Sequence, residues 1–61
     1  MIYEVFFIND DKHKKHLGTY TNKSMALNQA NNKSYLGTII VEQATEFERI
    51  IIMEIKKDLI I

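Results

Sequence analysis

A chain of 61 residues without a single cysteine has neither a disulfide framework nor a thiolate zinc site to staple it, and a domain this small hides only about 60% of its unfolded surface. Eight Lys/Arg balance eight Asp/Glu, so no overall field draws the chain to nucleic acid or to an anionic membrane. The apolar runs fall far short of the roughly 20 residues of a membrane helix, and the N-terminus lacks a basic lead and a small-residue cleavage site. One small cytoplasmic domain, residues 1–61, with no membrane partner is expected.

Ile2 to Ile8 is dense in β-branched and aromatic residues and stops at Asn9-Asp10-Asp11, whose side chains favour turns, so it reads as the first strand. Ile2, Phe6 and Ile8 share one face with Glu4, and Tyr3, Val5 and Phe7 make the other. A strand apolar on both faces is expected at the centre of its sheet. Asp10 to His16 reads as a polar connection, and Leu17-Gly18-Thr19-Tyr20 as a short strand returning antiparallel, because so short a link cannot make a parallel crossover. Thr21 and Asn22 are two candidate N-caps for a helix from about Lys23 to Asn31, with Ala26, Leu27 and Ala30 as its buried stripe and Met25 beside it. Gly37 then opens a third strand, Thr38 to Glu42.

The last segment, "FERIIIMEIKKDLII", supports two readings. Phe47, Ile51, Ile55 and Leu59 recur every four residues, Thr45 and Glu48 fit a capping box, and acids lead while Lys56-Lys57 trail, all of which suits a helix. Three consecutive isoleucines are disfavoured in helices and favoured in sheets, and Phe47, Arg49, Ile51, Met53 and Ile55 fall on one face of a strand. The strand is the preferred reading. The expected fold is a small α+β domain of order ββαββ, a four-stranded mainly antiparallel sheet with one short helix on one face; the alternative is ββαβα.

The stretch Lys12-His13-Lys14-Lys15-His16, after Asp10 and Asp11, holds both histidines and three of the lysines. Asp10 or Asp11 with His13 and His16 makes too few ligands for a closed metal shell. Lys12, His13, Lys14, Lys15 and His16 are the candidate contacts to a phosphate backbone, although no arginine stands among them for base reading. A solvated turn is the simpler account of such a charge run. Glu42, Glu46, Glu48 and Glu54 are the candidate paired carboxylates, and acid/base work would need a cleft that raises one pKa. No catalytic, cofactor or metal site is expected, and the chain is not read as an enzyme.

The stretch "HLGTYTNKSMALNQA" is similar, over about a quarter of the chain, to the arm-binding domains of phage integrases, small DNA-binding modules of three strands and a helix. Those domains are basic and lean on arginine, whereas this chain is neutral with one arginine. No residue role is carried over from them.

The functional expectation is a non-catalytic protein-interaction or regulatory module of bacterial or phage type that associates with a second copy or another protein; a small nucleic-acid-binding protein is the alternative. If the helix lies over Phe6, Ile51 and Met53, then Tyr3, Val5, Phe7, Ile50 and Ile52 line the uncovered sheet face. A homodimer would bury that apolar face, with Leu59-Ile60-Ile61 extending the contact.

Overall fold

A computed structural model describes residues 1–9, 11–32 and 37–57. The elements run β1 (Ile2–Ile8), β2 (Lys14–Tyr20), α1 (Lys23–Asn32), β3 (Gly37–Ala44) and β4 (Arg49–Lys57). The four strands form one antiparallel sheet in the order β2-β1-β3-β4. The ββαββ expectation is therefore met, with β1 inside the sheet. The helical alternative for the last segment is overturned.

Local chemistry explains why that segment was ambiguous. The Thr45 hydroxyl accepts hydrogen bonds from the Phe47 and Glu48 amides, each at 3.2 Å, as a helix cap would. Here the same bonds close the turn between β3 and β4, together with a 2.9 Å bond from the Thr45 amide to the Glu48 carbonyl. A capping threonine and a turn threonine satisfy the same kind of free amide. Strand pairing beyond the turn decides between them, and the β-branched run pairs with β3 from Ala44↔Arg49 to Gly37↔Lys57.

The second correction concerns where β2 begins. Lys14, Lys15 and His16 belong to the strand and pair with Ile8, Phe7 and Phe6; they are not part of a polar loop. The turn is tight, held by the Lys12 amide on the Asn9 carbonyl (2.9 Å) and the His13 amide on Asn9 Oδ1 (3.1 Å). Lys12 sits in the left-handed region at φ 63°, a conformation usual at such hairpin turns.

Helix α1 starts at the expected place. Asn22 Oδ1 accepts from the Met25 amide (3.2 Å), and the Asn22 carbonyl accepts the first helical bond from Ala26 (3.1 Å). Ala26 and Ala30 are fully buried and Leu27 packs beside them, whereas Met25 faces solvent. The small alanine side chains let the helix lie close on the sheet, and the large groups of the core come from the strands.

The third correction is which sheet face the helix covers. The core beneath α1 is built from Val5, Ile39 and Val41, with Tyr3, Phe7, Leu17, Tyr20, Ile52, Met53 and Ile55 packed around it. Tyr3, Val5, Phe7 and Ile52 thus lie on the covered face rather than on an open one, with Ile50 on the same side of the sheet in the row of Tyr3 and Gln43, whereas Phe6 and Ile51 lie on the open face. The reason is electrostatic: Phe6 shares its face with Glu4, and cross-strand pairing adds Glu42 beside Glu4. Carboxylates under α1, whose buried residues are Ala26 and Ala30, would lose water without gaining partners there.

Two β-bulges complete the answer to the isoleucine run. The pairing skips Leu17 in β2 and Ile52 in β4, so each strand carries an extra residue at that point. A bulge lets consecutive residues turn to one side, and Ile52 and Met53 both reach the core. Ile50, opposite Gln43, and Ile51, opposite Glu42, stay 44% and 55% exposed. Leu59, Ile60 and Ile61 lie outside the described residues, as does Asp10.

Candidate functional site

The open sheet face is organised in cross-strand rows. Lys14, Ile8, Thr38 and Lys56 make the first; His16, Phe6, Ile40 and Glu54 the second; Thr19, Glu4, Glu42 and Ile51 the third. Ile2, Ala44 and Arg49 close the far end. Register alone places Glu4 and Glu42 directly opposite each other, where like charges destabilise a sheet.

Cations from both ends compensate them. Lys14 crosses the Phe6 ring, its Nζ 4.1 Å from the centroid, and reaches Glu42 Oε2 at 2.7 Å. Arg49 comes from the opposite end and bridges the two carboxylates, 2.8 Å to Glu4 Oε1 and 3.2 Å to Glu42 Oε1. His16 Nε2 lies 2.9 Å from the Thr19 hydroxyl and 3.4 Å from Glu4 Oε2. The stems of these long side chains cover apolar surface while their heads remain wet. Ile40 is left only 4% exposed and Glu42 6% exposed, although α1 lies on the opposite face of the sheet. Among the described residues no buried side-chain polar atom lacks a partner.

Burial alone would raise the Glu42 pKa, and it is the largest single influence on that group. The hydrogen bonds from Lys14 and Arg49, with their charges, together outweigh it and hold the carboxyl below its ordinary value of 4.5. Arg49 is pushed above its ordinary value, first by its hydrogen bond to Glu4 and then by that to Glu42. A carboxylate lowered on folding contributes stability above its unfolded pKa, and that stability is lost as pH falls through the folded value. Glu42→Gln is therefore expected to flatten the loss of stability on going from pH 7 to pH 3. Urea midpoints of both proteins at the two pH values check this; parallel losses would show that Glu42 does not carry the effect.

The structure separates the residues of the charge-rich stretch. Lys12 and His13 are exposed in the turn, Lys14 and His16 lie on the open face, and Lys15, opposite Phe7, is on the other side of the sheet. They form no single cationic surface, and the Lys14 ammonium is already held by Glu42. Of the candidate carboxylates, Glu42 joins the network, Glu54 pairs with Lys56 at 3.6 Å, and Glu46 and Glu48 sit at the β3–β4 turn. The sequence reading missed Glu4 and Arg49 as partners. A lone acid inside "IYEVFFI" and a lone arginine before three isoleucines were the available signals. Among the described residues no cavity opens and no cluster of metal-ligating side chains forms.

The two edges of the sheet differ. Edge strand β2 carries Lys14, Lys15 and His16, a bulge at Leu17 and then Gly18; the lysines and the bulge discourage further pairing. Edge strand β4 has nine residues, with Ile50 and Ile51 exposed near its start and Phe47 92% exposed in the preceding turn. Among the described residues β4 has a strand partner on one side only. No helix among the described residues is long and apolar enough to cross a membrane. No protein-family model, curated protein or solved structure matches this chain.

Proposed function

We propose that the protein is a non-catalytic interaction module that self-associates through the free edge of β4. The observation that carries this reading is apolar exposure along one edge: among the described residues both edge strands carry a bulge and lysines, but only β4 adds exposed isoleucines, Ile50 and Ile51, beside an edge with no strand partner. An edge strand presents a row of amide and carbonyl groups ready to pair with another strand, and adding one is a recurrent mode of protein recognition. The sheet faces support the choice of the edge, since one is covered by α1 and the other is roofed by the Lys14, Arg49, Glu4 and Glu42 network.

Sedimentation equilibrium across micromolar concentrations tests the reading. The mass should rise with concentration toward that of two chains. A single-chain mass throughout would overturn it. Oligonucleotide titration at low salt separates the competing class: binding with a steep salt slope would speak for phosphate contacts by the lysines, and no binding is expected.

A further inference from the structure

Resting on that self-association, we infer that two copies pair β4 against β4 in an antiparallel ladder centred on Ile55. The bulge at Ile52 interrupts the strand, so the regular part of the free edge runs from Met53 to Lys57. A two-fold axis perpendicular to the sheet sets residues of this run opposite one another in pairs symmetric about its centre, with faces preserved.

Charge then selects the centre. On Glu54, the carboxylate faces its own copy; on Lys56 or on Lys57, a lysine faces its own copy. On Met53, Glu54 falls opposite the bulge residue Ile52. On Ile55, Glu54 faces Lys56 of the second copy and Lys56 faces Glu54, giving two opposite-charge pairs on the open face. Directly opposed unlike charges favour pairing and like charges oppose it. Both side chains are available for this: Glu54 is 47% and Lys56 71% exposed, and they already lie 3.6 Å apart within the chain. On the covered face, Ile55, which packs against the core, meets Ile55 of the second copy at the axis, with Met53 opposite Lys57 on either side. The product is an eight-stranded antiparallel sheet with both helices on the same side.

Charge exchange tests the register. In the full chain, Glu54→Lys or Lys56→Glu alone sets like charges opposite each other twice and should weaken association at least about tenfold. The double variant E54K/K56E restores both pairs and should associate like the wild type. Circular dichroism of each variant confirms the fold. As an independent measurement on the wild type, association should weaken as salt screens these exposed pairs. If the single variants associate as tightly as the wild type, if the double variant fails to recover, or if salt has no effect, the Ile55-centred register is wrong while self-association still stands. A wild type that never associates removes both readings.

Discussion

Ile39→Ala is expected to remove about 3–4 kcal/mol of stability, within the range for truncating a fully buried isoleucine. Ile39 is 0% exposed, lies between Phe7 on β1 and Ile55 on β4, and belongs to the core that Ala26 and Ala30 close from above. Small domains gain roughly 0.05–0.15 kcal/mol per residue, about 3–9 kcal/mol for a chain of this length. The variant should therefore be largely unfolded or close to it at room temperature. Phe6→Ala provides the contrast, because that ring lies on the open face, half-buried under Lys14. Its loss should be smaller, about 1–2 kcal/mol. Urea unfolding of the two variants gives the ranking, and a larger loss for Phe6 would mean that the helix covers the opposite face.

Gly37→Ala should cost about 2–4 kcal/mol, since two penalties coincide at that position. Its φ of +135° lies where side chains are rarely tolerated, and a Cβ there would stand 2.8 Å from the Ile8 carbonyl oxygen and 2.8 Å from Phe7 Cε1. The oxygen is backbone of the central strand and cannot yield without disturbing the β1–β3 ladder. Gly18→Ala is the control: an added Cβ there would meet chiefly the end of the Tyr20 side chain, at 2.9 Å, which can swing aside. The denaturation midpoint should fall sharply for the first and little for the second. Equal effects would show that the approach of Gly37 to β1 does not matter for stability.

Much of the architecture was legible locally. Ile2–Ile8 was bounded correctly because β-branched and aromatic density ended at a turn cluster, and the helix start was marked by Asn22 followed by alanines at helical spacing. The start of β2 was misplaced because Lys14, Lys15 and His16 resemble loop residues, and their strand character comes from pairing with Ile8, Phe7 and Phe6. Composition cannot show that a lysine has a buried carboxylate to reach 28 residues away, as Lys14 reaches Glu42.

The sequence by itself determined the first four elements, ββαβ, and the absence of cysteine chemistry, because strand density, turn residues and helix caps act over a few neighbouring positions; pairing with β3 made the last segment a strand. Tertiary structure alone decided which face the helix covers, since β1 is apolar on both sides and only the cross-strand meeting of Glu4 with Glu42, bridged by Arg49, makes one side polar. It also decided the fate of Ile50-Ile51-Ile52-Met53. A strict two-residue alternation cannot place Ile52 and Met53 together on the core, and the bulge that does so arises from pairing with β3. Long-range pairing sets the register, and register sets which charges neutralise one another; neither is encoded in any short stretch of the chain.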